Sequence, residues 1–246
     1  MLKYPLSTLL YIAKINIKDT IQDTLKLHNN IDIKLTVTVK DKNGKIIKQH
    51  KQHSHSFLMN FMAMLLNTLF NPYGTTNYYY YYKITSGTWY TDGEANTNVA
   101  YFLNMLNSAN DSTYGIVVGT GTATPTPNDY VLGNQIVNGT GSGQLVYGSH
   151  TISPQGNTTN SGNLSSPPTT GVLTPSGNIT SAQVSRTFQN QSGASITVSE
   201  VGIISKGVSA SNTTTTTLII HDLLSSAITI PNNAVLTIVY TISVTT

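Results

Sequence analysis

The sequence predicts a mainly β protein, and three observations carry that reading. Charged residues are only 9% of the 246, against about a quarter in an ordinary soluble domain. In their place stand 37 Thr, 24 Ser, 24 Asn, 19 Gly and 14 Tyr, a neutral polar set that favours strands, turns and loops over helices. Several segments also alternate apolar and polar residues with the period of two that a half-buried strand requires. The length suits one sandwich-sized unit with an N-terminal extension. We divide it into a basic arm, hairpin and apolar helix over residues 1–71 and a β body with long polar loops over 72–246. A hydrophobic fraction of 39% excludes a wholly disordered chain. No run of about 18 apolar residues is present to span a bilayer.

The elements follow in order. Within residues 6–27, Leu10, Ile17, Ile21 and Leu25 form one apolar stripe if the segment is helical. Ile12, Ile15 and Ile17 equally suit a strand. Ile33, Leu35, Val37 and Val39 alternate with Lys34, Thr36, Thr38 and Lys40, and Asn43-Gly44 then predicts a type I′ hairpin turn with a return over 45–49. Ser54 or Ser56 is placed to cap a helix carrying Phe57, Leu58, Phe61, Met62, Leu65, Leu66 and Leu69, which ends near Asn71-Pro72. The run Tyr78, Tyr79, Tyr80, Tyr81, Tyr82 reads either as a packed strand or as a subunit contact, because Tyr offers large amphipathic area at low entropy cost. Strands are further predicted at 116–118, 144–147, 181–188, 195–204, 216–221 and 235–244, the last with Leu236, Ile238, Tyr240, Ile242 and Val244 on one face. Residues 138–178 are dense in Gly, Ser, Thr, Asn and Pro and read as exposed loop.

Charge is unevenly placed. Residues 1–51 carry ten Lys and four Asp, whereas 52–246 carry three Lys or Arg against six Asp or Glu. Such a basic arm suits contact with nucleic acid, a membrane surface or a partner subunit. The absence of Cys excludes a disulfide framework and thiolate chemistry. The opening Met1-Leu2-Lys3-Tyr4-Pro5 does not predict a secretory signal.

Catalytic patterns are missing. No G-x-S-x-G is present, and His221-Asp222 would point to opposite faces of a strand, which favours a structural role. His50, His53 and His55 are the most metal-like group, but no Glu or Cys accompanies them. Gly119-Thr120-Gly121 lacks the Lys and Ser/Thr of a phosphate loop. We therefore expect no catalytic site, metal or cofactor. Seven Asn-x-Ser/Thr triplets begin at Asn110, Asn138, Asn157, Asn163, Asn178, Asn190 and Asn212, about as many as chance gives in this composition. Trp89, Tyr90 and Tyr101 are candidates for a ring-stacking platform.

Three blocks carry a resemblance. Val37-Thr38-Val39-Lys40-Asp41 through Gly44-Lys45 and Ser54-His55-Ser56-Phe57-Leu58-Met59-Asn60-Phe61 form the first. Gly115-Ile116-Val117-Val118-Gly119-Thr120-Gly121 with Pro125, Pro127, Asp129-Tyr130 and Leu132 forms the second. Glu200-Val201-Gly202-Ile203, Leu218-Ile219-Ile220-His221-Asp222 and the strands from 228 to 244 form the third. From about residue 33 onward the chain resembles small structural proteins of archaeal viruses and of some phages. The resemblance implies a β-sandwich, with the jelly roll as one form of it, in a virion subunit of capsid, tail, turret or fibre. It implies no active site; its partners would be copies of the chain and other virion proteins, with a host receptor if the subunit is a fibre tip. The low charge also suits viruses of acid-loving, heat-loving hosts. Leu10, Ile17, Ile21 and the five tyrosines are the expected assembly contacts, and Asn138, Asn163 and Asn178 the expected sites of any glycosylation. The alternatives are a carbohydrate- or receptor-binding fibre module and a host cell-surface filament or lattice protein.

Overall fold

The structure is a computed structural model that describes residues 31–54, 57–70, 82–90, 104–153, 179–208 and 214–245. Among the described residues it is mainly β, and two antiparallel sheets pack against each other as a sandwich. By contacts the chain divides into two units, residues 34–153 with 183–240, and residues 1–33, 154–182 and 241–246. The first holds most of the core and all the polar networks. The described part of the second consists of the ends of three strands.

Ten strands and one helix are described: β1 (Ile31–Lys40), β2 (Ile46–His53), α1 (Met59–Phe70), β3 (Tyr82–Lys83), β4 (Trp89–Tyr90), β5 (Gly115–Gly119), β6 (Val146–Ser153), β7 (Ile179–Gln189), β8 (Ile196–Val208), β9 (Thr214–Ile230) and β10 (Val235–Thr245). The order is β2-β1-β10-β7-β6 in one sheet and β5-β8-β9 in the other, beside a β3-β4 ribbon. This order does not establish a jelly roll. The hairpin of the N-terminal segment supplies two strands of the larger sheet, with β1 between β2 and β10.

The period-two patterns face inward as expected. Ile33, Leu35, Val37 and Val39 are buried on β1, and Leu236, Ile238 and Tyr240 on β10, while Ile242 is exposed. From the smaller sheet, Ile116, Val117, Val118, Val198, Val201, Ile203, Leu218, Ile220 and Ile228 complete the core. Burying each such side chain contributes about 1.5–3 kcal/mol.

Three local expectations need correction. The hairpin forms, but its turn is not type I′, because only Gly44 has positive φ, at 80°. Gly44 N–H donates to Asp41 O at 3.0 Å and Asp41 N–H to Lys45 O at 2.9 Å, so three residues close the loop and Gly44 takes the left-handed position. The Asp41 carboxylate decides the matter by accepting from the N–H groups of Asn43 and Lys45. Second, the expected helix face is buried only in part: Leu58 is inside and Phe61, Leu65 and Leu66 are half-buried, but the inward side is rotated. Asn60, Ala63 and Met64 are inside, whereas Phe57, Met59 and Met62 are exposed. Asn60 causes the rotation: its amide donates to Lys83 O and Leu218 O, each at 3.1 Å, and accepts from Lys83 N–H at 2.8 Å. Third, Ser54 does not cap α1. Its hydroxyl donates to Asp222, and Met59 N–H finds Pro127 O instead. Ser56 lies outside the described residues.

The sheet edges are closed along much of their length by the chain itself. On β5, Ile136 N–H reaches Val118 O, Ile116 N–H reaches His150 Nε2, and Arg186 reaches Ile116 O. On β9, Leu58 N–H meets Ile219 O and Thr85 N–H meets Thr216 O. On β6, Asn110 N–H meets Tyr147 O. Residues 224–227 of β9 bulge opposite Ser199, and Lys48 and Gln52 of β2 donate to Ala227 O and Leu223 O there. Unpaired edges invite pairing with other chains, and these contacts block that where they occur.

Candidate functional site

The chain's only arginine is inside. Alternation on β7 puts Val184, Arg186 and Phe188 on the buried face, and Arg186 is 1% exposed. A guanidinium has five N–H donors in a fixed fork. Here they meet five backbone carbonyls: Gly148 at 2.8 Å from Nε, Tyr114 at 3.2 Å and Ile116 at 3.0 Å from Nη1, and Ser108 at 3.0 Å and Asp111 from Nη2. Its carbon lies 4.7 Å from the centre of the Tyr147 ring. Burial draws its pKa down to about 10, against the pull of Tyr147, Asp111 and Tyr114. Arg186 thus fastens the 108–116 segment to the sandwich. Beside it, the His150 ring accepts from Ile116 N–H at Nε2, at 2.8 Å, and its Nδ1 meets the backbone N–H and O of Asn107 at 3.0 and 3.1 Å. Burial first, with the Arg186 charge, lowers its pKa to about 4, despite the bond to Asn107.

A second network has the opposite sign. Glu200 on β8 is 1% exposed. Its Oε1 accepts from Gly121 N–H at 2.9 Å and Asn134 N–H at 2.8 Å, and its Oε2 from Gly133 N–H at 3.0 Å. The backbone must come very close. A Cβ on Gly121 would stand 2.5 Å from Oε1, and one on Gly119 closer still. Gly119-Thr120-Gly121 is therefore part of an anion cradle, and the anion is the chain's own carboxylate.

His221 on β9 joins this cradle to Asp129, with Nε2 at 2.9 Å from Glu200 and Nδ1 at 2.7 Å from Asp129. Two carboxylate partners require both ring nitrogens to donate, so the ring is an imidazolium. Burial alone would favour the neutral ring, but the bonds and charges of Glu200 and Asp129 overcome it and raise the pKa. Burial also opposes ionising Glu200, yet His221 and the N–H groups of Asn134, Gly133 and Gly121 hold its pKa at about 2. For Asp129, burial is likewise outweighed, by Thr126 and His221, and the pKa falls.

On the opposite face of β9, as the alternation predicts, Asp222 accepts from Ser54 Oγ at 2.7 Å and Tyr240 OH at 2.9 Å. A Ser, a His and an Asp thus lie close together without forming a relay, because strand geometry separates His221 from Asp222 and Ser54. With both nitrogens of His221 bonded within the protein, neither a lone pair nor a free N–H faces a substrate.

The residues singled out from sequence are placed as follows. Leu10, Ile17, Ile21, Tyr78, Tyr79, Tyr80 and Tyr81 lie outside the described residues, as do His55, Asn157, Asn163, Asn178, Asn212 and Tyr101. Tyr82 is 1% exposed, so this member of the run is a core residue within the chain rather than a surface one. Asn138 is half-buried, and its Oδ1 accepts from Tyr147 N–H at 2.9 Å. Asn190 is fully buried with its amide bonded to Ala194 O and Ile230 O, which closes that triplet to modification in the folded state. Trp89 is 55% exposed, with the Lys83 ammonium 5.9 Å from its ring centre. Of the histidine group, His50 bonds Gln52 and Ser225. Among the described residues no group of three or more His, Asp or Glu is arranged to hold a metal ion, and no helix is long and apolar enough to cross a membrane.

Sequence reasoning missed Arg186, Glu200 and Asn60. For Arg186 a signal was present, since it stands between Val184 and Phe188 at strand spacing. No protein-family model, no curated protein and no solved structure matches the chain.

Proposed function

We propose that the chain is a non-enzymatic structural subunit of a virion, in its capsid, tail, turret or fibre, acting by assembly with copies of itself and with other virion proteins. The observation that carries the reading is the outer side of α1. Phe57, Met59 and Met62 are 43%, 50% and 47% exposed, and Phe57 stacks on Phe61 with ring centres 4.2 Å apart. Apolar side chains grouped on a surface mark a contact region. The block resemblance supplies the virion setting, and the basic arm supplies a second contact, to nucleic acid or membrane. The enclosed His221 network supports a role without chemistry.

Light scattering on the full-length protein tests this. The expected result is a defined oligomer that Met59→Asp with Met62→Asp reduces to a monomer of unchanged circular dichroism. A monomer at every concentration, or the absence of the protein from purified particles, would contradict it.

A second reading rests on Trp89. An exposed indole beside the Lys83 ammonium is a platform for a sugar ring, which suits a receptor-binding fibre module. Trp89 is the only tryptophan, so a glycan panel read by intrinsic fluorescence reports on this site alone. No change in emission with any glycan would remove the reading.

A further inference from the structure

Beside β5, a stretch of the β8 edge has no described neighbour. β5 pairs with β8 only over residues 200–204 of β8, and ends at Gly119. β8 continues back to Ile196, still paired with β9 through Ile196, Thr197 and Val198. On the β5 side of residues 196–199 no described strand follows, and among the described residues no backbone group from elsewhere bonds to that side. A groove of about 380 Å³ runs there, lined by Thr120, Ser142, Gly143, Ser192 and residues 194–197 and 199. That volume lies in the range of binding clefts.

The lining specifies the occupant's chemistry. It includes no charged side chain, so an ion entering it would lose hydration without a counter-charge. Thr197 of β8 and Ser195 just before it line the groove, and Ser199 joins them at the register shift opposite the β9 bulge. Ser199 is 8% exposed, yet among the described residues its hydroxyl has no hydrogen-bond partner. A hydroxyl on the groove wall with no partner in the described chain is left to bond an occupant that carries donors and acceptors. The walls are set by the chain: Thr120 accepts from Asn134, beside the Glu200 cradle, and Ser192 donates to Asn190. A strand edge presents donors and acceptors at backbone spacing, which a polypeptide strand matches repeat for repeat.

We infer that this groove is a strand-addition site, taking an extended, uncharged polypeptide segment with small side chains from a neighbouring subunit along the line that β5 leaves vacant. The chain's own abundance of Thr, Ser and Asn gives it segments of this chemistry, so a second copy can supply one. The inference deepens the assembly reading and rests on it for the identity of the neighbour, while the site is testable on the protein in any oligomeric state.

The test uses synthetic decapeptides tiling the chain's sequence as probes, with amide shifts of the full-length protein as readout. The expected result is that at least one peptide shifts the amides of Thr197, Val198 and Ser199. The same peptide N-methylated at alternate residues, unable to donate along the edge, should no longer do so. Ser199→Ala should weaken binding about tenfold without lowering the melting temperature, and Thr197→Tyr, at an exposed position, should abolish it. The proposal is overturned if no peptide shifts these amides, if the N-methylated peptide binds equally well, or if neutral oligosaccharides shift them and peptides do not. The outer side of α1 is untouched by these variants, so loss of the oligomer in the methionine variants and loss of peptide capture here report separate failures.

Discussion

Arg186 and Glu200 do the same work with opposite charge. Each is 1% exposed on a strand, and each holds a loop by its backbone. The cation gathers carbonyl oxygens from 108–116, and the anion gathers N–H groups from 121–134. Both segments border β5, whose own backbone the first grips at Ile116. The difference lies in compensation. Arg186 meets five neutral carbonyls and aromatic faces, whereas Glu200 shares His221 with Asp129 in a three-member ionic chain. One fastener therefore depends on geometry alone, and the other also on protonation. In a chain with so little charge, Arg186, Glu200 and His221 are buried and serve as fasteners.

The comparison can be broken in several ways. Replacing Arg186 by Met leaves five carbonyls without donors, and should cost about 5 kcal/mol in urea unfolding, more than a well-packed core truncation. Glu200→Gln removes one member of a buried ionic chain and two of the cradle's acceptor options, and should cost about 3–5 kcal/mol. Gly121→Ala drives a Cβ to 2.5 Å from the Glu200 carboxylate, and should cost about 1–3 kcal/mol as the loop withdraws. Trp89→Ala, at an exposed site away from both networks, should stay within about 0.5 kcal/mol.

Stability against pH sharpens the contrast further. His150 sits at about 4 instead of its ordinary 6.5, so the folded state binds fewer protons than the unfolded, and stability falls as pH drops from 6.5 toward 4. Glu200, at about 2 instead of 4.5, adds a second loss between those values. The raised pKa of His221 acts oppositely: its contribution is complete below 6.5 and is lost as pH rises through the folded value. Thermal melts should therefore show a maximum near pH 6.5. His221→Asn should remove the decline on the alkaline side, and Arg186→Met should leave that decline in place.

The fold was legible wherever burial follows a simple period. β1 and β10 read directly, because every second residue from Ile33 to Val39 and from Leu236 to Tyr240 is branched or aromatic and faces the core. The turn at Gly44 was legible as a turn but not in type, since the Asp41 carboxylate selects a three-residue loop over a two-residue one. The face of α1 was legible only in part, because apolar spacing placed Leu58, Phe61, Leu65 and Leu66 inward but also gave weight to Phe57 and Met62, while Asn60 bonds to two separated strands. The networks were hidden for a related reason. A lone Glu among strand residues carries no local mark of the N–H groups of Gly121, Gly133 and Asn134 that will surround it, which come from 66 to 79 positions away. Arg186 is the instructive exception, because an inward-facing slot between Val184 and Phe188 marks any charge found there as buried.

Amide hydrogen exchange on Glu200→Gln, beside the unchanged protein, tests the central claim most directly. If buried charges fasten separate loops, the amides of Gly121, Gly133 and Asn134 should lose protection while those at 108–116, held by Arg186, keep theirs. Equal loss in both segments, or none in either, would contradict it.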